Sequence, residues 1–112
     1  MNEQQFIDFK QTFMYLGGIP YMPMDKGRIC ESGSELLTED DCSDALKYAS
    51  ELGISLLNRK HLQVGSWNHV PYQCSYQAGG DNAFHFNNKQ THSVHDFVNG
   101  MYKMICKTGK IY

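Results

Sequence analysis

His85, His92 and His95 fall within eleven residues, with Asp96 beside the last of them and Asp81 just upstream. Zinc chemistry needs three or four nitrogen, sulfur or carboxylate ligands converging at roughly 2 Å, with one position left open if the metal is to activate water. His92 and His95, three apart, would supply two ligands from one short helix, and His85 a third. A metal-dependent hydrolase built on His85, His92 and His95 is therefore one reading. "THSVHDF" also parses as the start of a helix, with Ser93 as the cap and Asp96 three residues on. No HExxH signature accompanies the three histidines. We expect no metal and no other cofactor, with these histidines in helix-start and strand roles.

Nucleophilic catalysis finds less support. Ser32, Ser34, Ser66, Ser75 and Ser93 are present, and none stands in a G-x-S-x-G elbow. Nothing beside Cys74 would depress a thiol pKa, so a structural cysteine is expected there. The pairs Gly17-Gly18 and Gly79-Gly80 lack phosphate-loop spacing.

Binding is the third possibility. Tyr48, Trp67, Tyr72, Tyr76 and Tyr102 intersperse with Asn68, Gln73, Gln77, Asn82, Asn87 and Asn88. Flat rings stack and side-chain amides hydrogen-bond, which suits protein or carbohydrate contacts. Trp67, Tyr72, Tyr76, His85 and Asn87 are the candidate contact residues. Ordinary residues of amphipathic strands would give the same composition.

The elements that must position these groups fit a chain of 112 residues, one domain with a thin core. Phe6, Phe9, Phe13 and Leu16, with Ile7 and Met14 beside them, mark one face of a helix from about Asn2 to Leu16. Gly17-Gly18 and Pro20 stop it. The stripe packs on the chain's own core or docks on a partner, a second copy included. "IPYMPM" holds two prolines three apart, which excludes a central strand and suggests a stiff extended connector. "TEDDCSDALKYASELG" reads as a helix capped by Thr38. Its acids fill the first turn, its buried stripe is Cys42, Ala45, Leu46, Ala49 and Leu52, and Gly53 ends it. "ISLLN" suggests a short strand, and another is expected near Leu62–Val64. "QCSYQ" and "AFHFN" flank "AGGDN" as a hairpin, with Phe84 and Phe86 on one face and His85 on the other. "MYKMICK" alternates as a final strand. Trp67 is either a core plug or a stacking platform.

Net charge is −2, and two of the ten basic residues are arginine, which leaves no clustered footprint for nucleic acid. Seven acids lie between Glu31 and Glu51, where the second helix accounts for most of them. No apolar run approaches the roughly 20 residues that span a bilayer, and the N-terminus lacks the basic start and apolar core of a signal peptide.

Cys30, Cys42, Cys74 and Cys106 are widely spaced and contain no CxxC. An even count spread through a small chain fits two disulfides, or else four thiols in a reducing compartment. Layout favours Cys30 with Cys106, which flank the domain, and Cys42 with Cys74, which would join the second helix to the hairpin. Oxidised cysteines place the protein in an extracellular, lumenal or virion-associated setting, and reduced ones in the cytoplasm.

Taken together, Cys30-Glu31, Cys42 with Ala45, "LGI" at 52–54, "PYQCSYQ", "FHFNN" and "MICK" resemble a small four-cysteine module of predicted proteins from marine algae, protists and their viruses. That pattern runs as a helix ending in LGL, then P-x-G-C-x-Y, a strand ending in FN, and ICK. The resemblance covers roughly residues 29–108, and Gln73 stands where the pattern usually has glycine. It implies a disulfide-stapled binding or structural unit, extracellular or virion-associated, and it carries no catalytic residue across.

The sequence thus predicts a small α+β domain with an amphipathic N-terminal helix, an acidic second helix, a small antiparallel sheet and two disulfides. Residues 1–28 form the helix and connector, and residues 29–112 the four-cysteine module. The expected role is non-enzymatic binding or structure, within an assembly or at a cell or virion surface.

Overall fold

The computed structural model describes residues 2–15, 18–89 and 101–108, and of residues 13–15 the backbone alone. The first helix, α1 (Glu3–Tyr15), opens on a reciprocal cap. The Gln5 amide donates to Asn2 Oδ1 at 2.8 Å, and the Asn2 amide donates to Gln5 Oε1 at 3.0 Å. Two amides otherwise left without partners are satisfied in this way. Phe6 and Phe9 are buried in the chain's own core, whereas Ile7 is exposed. The side chains of Phe13 and Leu16, the other half of the expected stripe, lie outside the described residues.

The prolines after α1 do not make a bare connector. Tyr21–Pro23 forms β1, an edge strand antiparallel to β5 (Tyr102–Lys107), with Met22 opposite Cys106. An edge position tolerates proline because only one side of the strand needs ladder donors. Tyr21 then plugs the core, 1% exposed.

α2 (Glu39–Leu46) starts as the sequence predicts. The Asp41 amide donates to Thr38 Oγ1 at 3.1 Å, and three acids occupy the first turn. Beyond Leu46 the chain continues in turns, mostly closed by bonds three residues back, up to Gly53. Gly53 adopts φ +76, and the Ile54 amide reaches back to Ala49 O at 2.8 Å. This left-handed stop, with Ala49 and Ile54 both in the core, closes the helical segment.

The expected strand at "ISLLN" is absent. Residues 54–57 are instead held to the hairpin turn, where Asn82 Nδ2 donates to Ser55 O and the Leu57 amide donates to Asp81 O. β2 (Gln63–Gly65) appears where a strand was expected. It pairs with β4 (Phe84–Asn87) in parallel, so the sheet is mixed rather than purely antiparallel. β3 (Gln73–Gln77) and β4 form the expected hairpin, with Cys74 opposite Phe86 and Ser75 opposite His85. The five described strands run in the order β1-β5-β3-β4-β2.

Strand alternation divides the sheet into two faces. One face gathers Tyr21, Cys74, Tyr76, Phe84, Phe86 and Ile105 under α1 and α2, in one core cluster with Phe6, Phe9, Leu36, Cys42 and Ala45. Residues 1–28 therefore share their core with the four-cysteine segment. The opposite face carries Ser75, His85, Tyr102, Met104 and Cys106. The cysteines pair as Cys30–Cys106 and Cys42–Cys74, each with an S–S distance of 2.02 and 2.01 Å respectively. Cys42–Cys74 pins α2 to the sheet's helix face. Cys30–Cys106 pins the segment before α2 to the other face, beside Met24 and Met104. Among the described residues, no helix is long and apolar enough to cross a membrane.

Candidate functional site

On the face away from the helices, His85 sits between Trp67 and Tyr102, edge-to-face with each at 5.4 and 5.5 Å between centroids. The ring is 6% exposed, and its Nδ1 lies 3.0 Å from Ala83 O. A carbonyl only accepts, so Nδ1 carries the proton and Nε2 the lone pair. Burial lowers the His85 pKa, outweighing the Ala83 hydrogen bond and the Asp81 charge that favour the imidazolium, so the ring is neutral at pH 7. Of the proposed histidine triad, His92 and His95 lie outside the described residues. Among the described residues no group of three His, Cys, Asp or Glu is placed to hold a metal ion.

Trp67 is half-buried against Val70 and Tyr102, the plug rather than the open platform. Its ring lies on Gly65, where an added Cβ would meet Trp67 Cζ2 at 2.6 Å, so this strand end needs a residue without a side chain. Tyr76 stacks on Phe84 inside the core, 6.0 Å between centroids.

Asn87 is 1% exposed, and its amide is saturated. Oδ1 accepts from the Trp67 and Lys89 amides at 3.0 and 3.2 Å, and Nδ2 donates to Trp67 O and Val70 O, both at 2.9 Å. The side chain works as a clip that fastens the 67–70 loop to the end of β4, and it has no bond left for a ligand. Sequence reasoning placed Asn87 at a contact surface. Its position at the last residue of a strand, followed by another asparagine, is the one local hint that its amide replaces the strand ladder.

Of the five candidate contact residues, Tyr72 and Asn87 line an open groove, Asn87 with its amide already saturated. The groove runs over the start of β3 and the end of β4, holds about 290 Å³, and is lined by Leu37, Tyr72, Gln73, Phe86, Asn87, Asn88 and Lys89. Gln73 is its unusual residue. It adopts φ +68, a left-handed conformation that costs an ordinary side chain about 1–2 kcal/mol. Its Oε1 is buried without a hydrogen-bond partner among the described residues. Lys89 Nζ donates to Asn68 Oδ1 at the rim.

A second polar cluster joins α1, β1 and α2 on the helix face. Asp44 Oδ2 accepts from Lys10 Nζ at 3.0 Å and from the Tyr21 hydroxyl at 2.5 Å, and Lys47 lies 4.0 Å from Oδ1. Burial alone would raise the Asp44 pKa. The Tyr21 and Lys10 hydrogen bonds, with the charges of Lys10 and Lys47, outweigh it and hold the carboxyl below its ordinary value. Burial, and then the Asp44 carboxylate, push the Tyr21 phenol up. This cluster fastens α1, β1 and α2 together.

No protein-family model, no curated protein and no solved structure matches the chain.

Proposed function

We propose that this protein is a non-enzymatic contact module that works in an oxidising compartment, and that residues 29–108 belong to the four-cysteine module they resemble. The observation that carries this reading is the placement of the two disulfides on opposite faces of one sheet. Such bonds persist outside reducing compartments and stiffen a small domain whose core is thin. Support comes also from the described groups that would do chemistry. His85 and Asn87 are buried and bonded inward, and Asp44 holds elements together. Among the described residues, Tyr72, Gln73 and Asn88 line a groove at the surface, a composition suited to contact rather than turnover.

The test is a thiol count and a metal analysis on protein taken from its native setting, or secreted through an oxidising pathway without a histidine tag. The reading expects no free thiol after denaturation and no stoichiometric zinc or copper. Four titratable thiols in the native protein, or one tightly bound metal per chain that is lost on His92→Ala, would overturn it in favour of a reduced protein or the hydrolase.

A further inference from the structure

The two edges of the sheet are built differently. At β1, the Met24 amide donates to Met104 O and the Thr108 amide to Pro20 O, so Pro20, Met22 and Met24 face β5 while Tyr21 and Pro23 face outward. Pro23 has no N–H, which blunts that edge. At β2, the Asn88 amide donates to Gly65 O at 2.9 Å, so Gly65 faces β4. Successive residues of a strand turn their backbone groups to opposite sides, and Val64 therefore turns its N–H and C=O away from β4. None of the described strands lies on that side, and the Val64 side chain is exposed as well. A β-branched residue with both backbone groups unpaired is a template for an added strand. We propose that the open edge of β2 binds an extended, acidic peptide segment of a partner protein, which joins the sheet through the Val64 N–H and C=O. This deepens the reading of the protein as a contact module and rests on it.

The surroundings of β2 select the occupant. Val64 lies opposite Phe86, and Phe86 opposite Cys74, so the three form one row on the helix face of the sheet. Leu62 packs on the same core cluster. An apolar residue of the partner, set against Val64, would extend this row by one place and cover the exposed side chain. Charge sets the ends. Lys60 is exposed just before β2, and Lys89 follows just after β4, so the two lie toward opposite ends of the parallel pair. Neither makes an ion pair among the described residues, whereas the Asp81 carboxylate is held by Arg59 at 3.7 Å. A segment with acids at its ends complements these two cations, and a basic one would be repelled. A second copy fits less well. In an antiparallel pair centred on Val64, Lys60 would face Asn68 and gain no carboxylate. A three-residue strand also buries far less than the roughly 1,200 Å² of a stable dimer.

The experiment is amide hydrogen exchange and a ¹⁵N–¹H titration on the full, oxidised chain. The probes are the end-capped peptide DETVTVED, its basic counterpart KKTVTVKK, and DETPTPED, whose prolines forbid a strand. In the free protein the Val64 amide should exchange faster than that of Gly65. DETVTVED should shift the Val64 amide saturably and slow its exchange, KKTVTVKK should bind more weakly, and DETPTPED should do neither. Val64→Pro, which removes the outward donor, should weaken binding of DETVTVED by about tenfold. Lys60→Glu should weaken it by about threefold and leave the melting temperature unchanged. The proposal is overturned if the Val64 amide of the free protein is as protected as that of Gly65, because the edge would then already be covered. It is overturned equally if DETVTVED gives no saturable shift, if KKTVTVKK binds as well, or if either variant binds DETVTVED like the parent. Shifts at Val64 that grow with protein concentration alone would give the edge to a second copy and overturn it too. Should Val64→Pro fail to fold, the exchange of the parent chain and the binding of Lys60→Glu still decide. Each of these outcomes leaves the thiol count untouched, so failure here is separable from failure of the contact-module reading.

Discussion

The Tyr21 hydroxyl donates to Asp44 Oδ2 at 2.5 Å, and so ties the edge strand β1 to α2 through the same carboxylate oxygen that holds Lys10 of α1. Three elements that are distant in sequence meet on one half-buried acceptor. Because its folded pKa is depressed, Asp44 contributes stability above the ordinary carboxylate range, and that contribution is lost as pH falls through the folded value. Asp44→Asn should lower stability at pH 7 by about 1–2 kcal/mol, and the gap to the parent protein should close under acid conditions. Denaturant titrations at neutral and acid pH measure it. An equal gap at both would show that the charge is not what holds the three elements.

Phe6 should be the most sensitive position of α1. It is fully buried, meets Tyr21 edge-to-face at 5.7 Å, and has the Lys107 ammonium 4.5 Å from its ring centroid. Phe6→Ala should cost about 3–5 kcal/mol through the cavity and the lost ring contacts. Deleting residues 1–18 should likewise destabilise the chain without changing its oligomeric state in sedimentation. A truncated chain that stayed equally stable but dropped from oligomer to monomer would show that the helix serves a partner instead.

Gln73→Gly should be neutral or stabilising by up to about 1 kcal/mol, because glycine takes the left-handed backbone without the Cβ penalty and removes an unpaired buried oxygen. Thermal melts of the two proteins, without added ligand, decide it. A lower melting temperature would mean that the glutamine's packing outweighs its strain.

Reduction should weaken the fold strongly. The two bonds close loops with sequence separations of 76 and 32 residues, and chain-entropy arguments assign each roughly 4 kcal/mol. Melting curves with and without reductant report the sum. A shift of only a few degrees would indicate that the core carries the domain without its staples.

Much of this architecture was legible in local chemistry. Thr38 with Asp41 set the start of α2, the Gly-Gly-Asp-Asn break set the hairpin, and the alternation of Phe84, His85 and Phe86 assigned their faces correctly. The parts that escaped depend on partners distant in sequence. β1 looks like a connector because its prolines weaken any strand in isolation. Pairing with β5 and burial of Tyr21 override that preference. The parallel pairing of β2 leaves no mark on its three residues. Ile54 to Asn58 has the composition of a strand, but none of the described strands pairs with it, and the turn residues Asp81 and Asn82 take its backbone groups instead. In the candidate site, side-chain type drew attention to Tyr72, but it could not distinguish the saturated amide of Asn87 from that of Gln73, whose oxygen has no donor among the described residues. The glycine expected before Cys74 was the signal there. The structure gives that position a glycine's conformation in a residue that is not glycine.

Peptide mapping of the oxidised protein under non-reducing conditions reads out whether the domain is stapled on both faces of one sheet. One linked pair should contain Cys30 and Cys106, a second Cys42 and Cys74, and no cysteine should be alkylated. A peptide joining Cys30 to Cys42, or full alkylation of all four thiols in protein from its native compartment, would contradict it.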